Sequence, residues 1–476
     1  MAETFAHPWD PQGQQSACRR ARGPAYRRIS RGLPAMALIG LALLLGLLLE
    51  AAPPAGAAEA SPADAKVAIP GLLDFEGCVR LAIQQSPYLT KSAVEIDIRR
   101  LDENDSRYSV FPPPVTFRTY YYVDRPHQPG LNPRPYSLSF NTDTYNPVGS
   151  YYTLQAQKVV TQMAIFGHLQ IVNDGLEHVG KYFLNLASLK QMTVFQSNLV
   201  NLCRERLTYA ENRRTIGTGT SLEVKVATQE LELAKSEMEH LKIAEKRTQT
   251  SLKNFLGLKP EQQVEFDLRD AHRQVLGKFD PAAATLEQAK AKSFELKALE
   301  LKKELQGFNI TVAKAKAFPS LLFTVQTPDP LSVTSARGLY VGLGLEVPVW
   351  DGFKRIRNIS RQKSILKQVG ADKDMKDLDL TDKWNGLQEN IGSAAASLKI
   401  AQSQEELARL KERQAEIRYN SGTDQLPGWL EGRKATLEAQ KGFASKALAH
   451  DELILHLRQF SGDLGDSYVD QKSWQK

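Results

Sequence analysis

The chain has 476 residues, 24% charged and 8% aromatic, which excludes a low-complexity or disordered protein. Its formal net charge is +7, but residues 1–57 carry six arginines (Arg19, Arg20, Arg22, Arg27, Arg28, Arg31) against Glu3, Asp10 and Glu50. The remaining surplus is small and evenly spread, so a nucleic-acid-binding surface is excluded as well.

Residues 1–57 have the layout of an export leader. A basic region ends at Arg31, an apolar core runs from Ala37 to Leu49, and Ala55-Gly56-Ala57 forms a cleavage box. The core is too short for a membrane-spanning helix, which needs roughly 20 residues. No other apolar run is long enough, so the mature chain is either soluble after export or spans by strands. Cys18 leaves with the leader, and Cys78 and Cys203 make neither a metal motif nor a disulfide framework.

The rest of the chain repeats itself. In the first half a short helix opens near Phe75 behind the cap Asp74; in the second, one opens at Leu286 behind Thr285. Phe111-Pro112 and Phe318-Pro319 each precede an alternating strand, with Val115, Phe117, Thr119 and Tyr121 on one face of the first and Leu321, Phe323 and Val325 on one face of the second. A second strand is expected at residues 150–159 in the first half and 338–347 in the second. Gly167 and Gly352 then head long helical regions, which end at two glycine tips, 217–221 and 421–426. The reading gives a first structural repeat over 58–256, an inter-repeat linker or equatorial segment over 257–283, a second repeat over 284–465 and a tail over 466–476.

Residues 161–214 and 353–419 contain no proline and would form helices of roughly 80 and 100 Å. Their return arms, 222–256 and 430–462, carry sparse apolar residues among Lys, Glu and Gln, the mark of coiled-coil-like seams rather than a thick core. From Gly167 to Gly217 is 50 residues, but from Gly352 to Gly422 is 70, so either the first arm is shorter or its entry from the strand is irregular.

Pattern reading finds four strands. In residues 338–347, Leu339, Val341, Leu343, Leu345 and Val347 alternate with glycines, Tyr340 and Glu346. A transmembrane sheet must close, and closure takes about eight strands at least. Two readings follow: a small soluble sheet packed on helices, or a lipid-facing sheet completed by further copies of the chain.

The motif set resembles the TolC family of outer-membrane efflux proteins. The matching pieces are LDFEGCVRLAIQQSPYL from Leu73, the paired Phe-Pro strand starts, LEVPVWDGFKR from Leu345, and the two glycine tips, together covering about residues 70–465. The resemblance implies an α/β membrane protein with no cofactor. Three chains would each give four strands to a twelve-stranded transmembrane β-barrel, and long antiparallel hairpins would form a trimeric α-barrel across the periplasm. The implied partners are two further copies, a periplasmic adaptor, an inner-membrane pump and outer-membrane lipid. On this reading Leu339, Val341, Leu343, Leu345 and Val347 face lipid.

The resemblance also places a gate. Tyr419 matches the family's latch tyrosine and Glu223 its acidic partner, while Asp424 stands where the family has a latch arginine. Gly428 and Glu431 fall on the paired acidic positions of the tunnel entrance, so only Glu431 remains acidic, with Asp424 as a second carboxylate. Under three-fold symmetry each would become a ring able to select cations. Gly217, Thr218, Gly219, Thr220, Ser221, Ser421, Gly422 and Thr423 form the tips that would receive the adaptor. No catalytic constellation is present: the histidines show no metal spacing, and Ser221 with Glu223 reads as a helix start. With six methionines in all, a copper-specific methionine relay is not indicated. The competing function from another class is an exported, soluble coiled-coil adaptor or scaffold.

Overall fold

The computed structural model describes residues 72–111, 115–121, 136–142, 144–259, 262, 264–326, 340–347 and 349–468. The expected leader and Leu339 lie outside them. The first half comprises β1 (Leu72–Leu73), α1 (Phe75–Gln85), α2 (Pro87–Tyr108), β2 (Val115–Tyr121), β3 (Tyr136–Thr142), α3 (Pro147–Thr215) and α4 (Ser221–Phe255). Next come β4 (Glu265–Phe266) and α5 (Ala271–Leu276). The second half follows with α6 (Leu286–Lys292), α7 (Phe294–Ala315), β5 (Ser320–Gln326), β6 (Tyr340–Glu346), α8 (Lys354–Asn420), α9 (Leu426–Phe460) and the short α10 (Asp463–Tyr468). Both expected caps form: Asp74 accepts from the Gly77 amide at 2.7 Å and Thr285 from that of Gln288 at 3.3 Å.

Residues 150–159 are helix, not strand. Asn146 caps α3 by accepting from the Gly149 amide at 2.8 Å, and Pro147 occupies the first turn, where its missing N–H costs nothing. From there Ala156, Val159, Ile165, Leu169, Val172 and Leu176 are buried at helical spacing. The partner strand is instead β3, where Tyr136, Leu138, Phe140 and Thr142 alternate within a segment rich in proline and asparagine. Gly167 therefore lies inside α3 rather than at its head. The apparent mismatch between the arms disappears: α3 has 69 residues and α8 has 67, and both return arms have 35.

The four strands form one antiparallel sheet in the order β2-β3-β5-β6. Its register places Phe117 opposite Phe140, Phe140 opposite Val325, and Val325 opposite Val341. Residues directly opposite share a face. One face thus collects Val115, Phe117, Phe140, Leu321, Phe323 and Leu343, all exposed, Leu343 at 85%. The other carries Thr116, Arg118, Ser139, Asn141, Thr324, Gly342 and Gly344. The outer edges of β2 and β6 pair with no described strand. No helix among the described residues is long and apolar enough to cross a membrane.

Below the sheet, α3 is the central helix. It packs against α2, α4, α7 and α9 and buries 23 residues, whereas α8 packs on α7 and α9 and buries five. The largest core lies midway along α3, where Phe183, Leu176 and Val179 meet Phe75, Leu252 and Leu455. The segment between the halves contributes to this core through Val264, Phe266 and Val275, and β4 pairs in parallel with β1. Cys78 is buried here, and burial, aided by Asp74, pushes its thiol up to about 12. The α7–α8 contact carries ion pairs: Glu295–Lys376, Glu300–Lys373 and Lys302–Asp372 bridge the two helices at 2.6–3.4 Å.

One buried charge ties α3 to α9. Glu177 lies 2.8 Å from the His456 ring and 2.7 Å from the Lys181 ammonium. Burial opposes ionisation of this carboxyl, but those two partners outweigh it and hold it at about 2, below its usual 4.5. A depressed folded-state value means that the stabilisation is present above the ordinary value and is lost as pH falls through the lower one. Glu177→Gln is therefore expected to cost about 1–3 kcal/mol at neutral pH, discounted for its partly exposed partners. In thermal melts it should shrink the stability that the parent chain loses between pH 4.5 and 2. Equal acid sensitivity in both proteins would remove Glu177 from this role.

Candidate functional site

The two tips are copies of one loop. Gly217 and Gly422 adopt positive φ (82° and 74°), the region glycine enters without steric cost. After each, amides return to the end of the preceding helix: Thr218 and Gly219 donate to the Arg213 carbonyl at 2.9 Å, and Thr423 and Asp424 to that of Arg418 at 2.9 and 3.2 Å. Thr220 then caps α4 by accepting from the Glu223 amide at 3.2 Å. Gly219 has no room for a side chain, since an added Cβ would sit 2.9 Å from the Arg214 nitrogen. Ser421 donates from Oγ to the Arg418 carbonyl.

The tips differ in what closes them. At the first, Arg213 donates to the Thr218 carbonyl at 2.9 Å, lies 3.6 Å from the Glu223 carboxylate and rests over the Tyr209 ring. At the second, Tyr419 stacks on Trp429 with centroids 5.8 Å apart and planes 9° from parallel. Arg433 extends the stack, its guanidinium 5.6 Å from the Trp429 centroid. Close approach of α8 and α9 permits this contact: an added Cβ at Gly432 would lie 3.2 Å from the Glu412 Cα. Asp424 folds back over the first turn of α9, accepting from the Gln425 amide at 2.8 Å. An added Cβ at Gly428 would meet its Oδ2 at 2.7 Å. The positive end of the helix dipole favours a carboxylate there.

Within one chain, Tyr419 and Glu223 are not brought together. Glu223 pairs with Arg213 in the first hairpin, and Tyr419 stacks on Trp429 in the second. Glu431 has a partner that the sequence did not reveal. Arg206 on α3 lies 3.1 Å from Glu431 on α9 and 3.0 Å from Glu230 on α4. One guanidinium therefore joins both hairpins, above an apolar seam of Leu199, Leu202, Leu231, Leu430 and Leu437. Towards the tips, Arg206, Tyr209, Leu222, Val226 and Pro427 line an open groove of about 430 Å³ between the hairpins. The sequence spacing offered no signal for Arg206, because its partners lie 24 and 225 residues away.

Among the described residues, no cluster of His, Cys, Asp and Glu could hold a metal ion. His456 pairs with Glu177 and His450 lies near Asp451. At the sheet end of the chain, Val341, Leu343 and Leu345 sit on the exposed apolar face, and Val347 follows as an exposed residue. Just beyond, Trp350 and Phe353 form an exposed edge-to-face pair at 5.2 Å.

No family model matches the sequence, and no curated protein matches it. Solved structures do. The outer-membrane channel OprN aligns over 82% of this chain and 89% of its own at a TM-score of 0.66 and 17% identity. The CmeC outer-membrane channel of Campylobacter jejuni aligns over 84% and 88% at 0.67 and 15% identity. The MtrE outer-membrane channel of Neisseria gonorrhoeae, in its open state, aligns over 82% and 88% at 0.65 and 12% identity. Four short strands on two long helical hairpins, duplicated within one chain, are thus the fold of the TolC-type outer-membrane channels.

Proposed function

We propose that this chain is an outer-membrane exit duct: a homotrimer in the outer membrane of a Gram-negative bacterium, with its helices reaching into the periplasm. The observation that carries this reading is the sheet, which exposes a continuous apolar face and whose outer edges pair with no described strand. Open edges cannot persist in lipid, so lipid contact demands closure by further copies. Three chains would supply twelve strands, with the glycine-rich face lining a water-filled lumen. Uncovered apolar residues along α4 (Leu222, Leu233, Ile243) and α8 (Leu407, Leu410, Ile417) provide seams for neighbouring copies. An exported soluble scaffold would gain nothing from an exposed apolar sheet flanked by Trp350 and Phe353.

The duct is passive, and serves a tripartite efflux or type I secretion system in which an inner-membrane pump supplies the energy. The two tips receive the hairpin of a periplasmic adaptor, and the groove beside Pro427 offers an apolar floor with arginines on its rim. Tyr419, Glu223, Asp424 and Glu431 form the gate. Tyr419 and Glu223 lie on different hairpins, so their contact would be made between neighbouring copies. Arg206 already compensates Glu431, which leaves Asp424 as the less neutralised acidic ring at the entrance.

Leu343→Arg tests the membrane reading. A cationic side chain on the lipid face costs about 2–4 kcal/mol per chain near the bilayer midplane, and the trimer carries three of them. The variant is expected to lose the heat-modifiable oligomer in the outer-membrane fraction, while Gly342→Ser, on the opposite face, keeps it. Normal membrane assembly of Leu343→Arg would overturn the lipid-facing assignment.

The gate is read by conductance of the purified protein in planar bilayers. Tyr419→Phe combined with Glu223→Ala is expected to raise single-channel conductance, and Arg206→Ala to raise it further at low salt than at high salt, because the ion pairs are partly exposed and screened. Unchanged conductance in the double variant would remove the latch assignment; an unchanged Arg206→Ala would remove the link between hairpins.

A further inference from the structure

The two halves of the chain share a fold but not a chemistry where they meet the sheet. The first fourteen residues of α3, from Pro147, contain a single basic residue, Lys158. The first fourteen of α8, from Lys354, contain six: Lys354, Arg355, Arg357, Arg361, Lys363 and Lys367, with no acid among them. The end of α7 adds Lys314 and Lys316, both exposed. These elements lie at one end of the sheet, because Ser320, just after α7, pairs with Glu346, just before α8. Arg355 pairs with Asp351 at 3.1 Å. Lys354, Arg357, Arg361, Lys314 and Lys316 make no ion pair among the described residues.

The geometry of the junction joins this charge to the apolar surface. Gly352 and Phe353 both adopt positive φ, 59° and 62°, and for a bulky aromatic residue that conformation is strained. Its outcome is to display Trp350 and Phe353 side by side, 77% and 56% exposed. Phe353, Arg357 and Arg361 are spaced four apart and Lys354 lies beside them, so the basic groups descend as one stripe from the aromatic pair. From Lys354 to Arg361 the stripe covers roughly 10 Å of helix. The headgroup layer on each side of a bilayer is about 5–8 Å deep. Aromatic side chains followed by uncompensated cations match, in order, the acyl boundary and an anionic headgroup layer.

Building on the membrane reading above, we propose that the collar formed by Trp350, Phe353, Lys354, Arg357 and Arg361, with Lys314 and Lys316 beside it, binds the headgroups of anionic phospholipids. The recognised chemistry is a phosphodiester whose headgroup leaves a net negative charge. The site belongs to the second half alone, so a trimer would carry three such sites alternating with three collars from the first half that lack the basic stripe. The lipid would hold the strand-to-helix junction in its strained conformation and fix the depth of the duct.

The test uses the whole protein in nanodiscs of equal phosphatidylcholine and phosphatidylglycerol, with lipids retained through mild detergent exchange counted by native mass spectrometry. The parent protein is expected to retain phosphatidylglycerol in several-fold excess, with the excess falling as salt is raised. Lys354→Gln/Arg357→Gln/Arg361→Gln should bring the ratio near parity. Lys399→Gln/Lys411→Gln, two exposed charges far down α8, should leave the excess intact. Insertion of the parent without any preference would overturn this proposal and leave the membrane reading standing, as would an undiminished excess in the triple variant. Failure of the parent to enter discs of either lipid would overturn the membrane reading and this proposal together.

Discussion

A sheet of four seven-residue strands, with one apolar face and two edges that pair with no described strand, sets the terms for everything else in this molecule. In water the exposed face and edges would invite uncontrolled association. In lipid the open edges would strand backbone N–H and C=O groups with no partner. The proposed closure with other copies meets both demands. On the proposed reading, the helices below continue from a closed ring of strands into a closed ring of hairpins. The nearly equal lengths of α3 and α8, and the equal lengths of their return arms, would keep the two halves in step along such a ring.

The division of labour between the halves follows from burial. The central helix α3 is wrapped by α2, α4, α7 and α9, and its apolar residues extend around much of its circumference. The outer helix α8 rests on its neighbours partly through ion pairs and buries little. Polar contacts across an exposed seam are individually weak and sensitive to salt. A frame that stays fixed around α3 and an α8 that shifts at smaller cost is what an opening tip would need. Arg206 belongs to that frame, holding α4 and α9 to α3 through one guanidinium.

Much of this plan was legible in the sequence, and the parts that were not have physical reasons. Strands β2, β5 and β6 showed clean alternation, and the tip glycines stood where positive φ is required. Strand β3 was hidden because prolines and asparagines crowd the segment around it, the usual mark of a loop. The start of α3 was mistaken for a strand because Tyr152, Leu154 and Ala156 alternate. The decisive local signal was Asn146-Pro147 with Gly149 three residues past the cap, and it also removes the apparent mismatch between the arms. The Arg206 link could not be read at all, since it joins residues 225 apart. The pairing of Tyr419 with Glu223 came from resemblance, and one chain places the two on different hairpins.

Ring closure is the central claim, and the free edges of β2 and β6 report on it directly. Single cysteines scanned along β2, combined with cysteines on the same face of β6, can be joined by a short thiol cross-linker in native membranes; Cys78 and Cys203 are buried and out of reach. The account predicts covalent dimers and trimers, with the ladder ending at the trimer because the third link closes the ring. A ladder that continues past three chains, or a chain that stays monomeric at every pair, would contradict it.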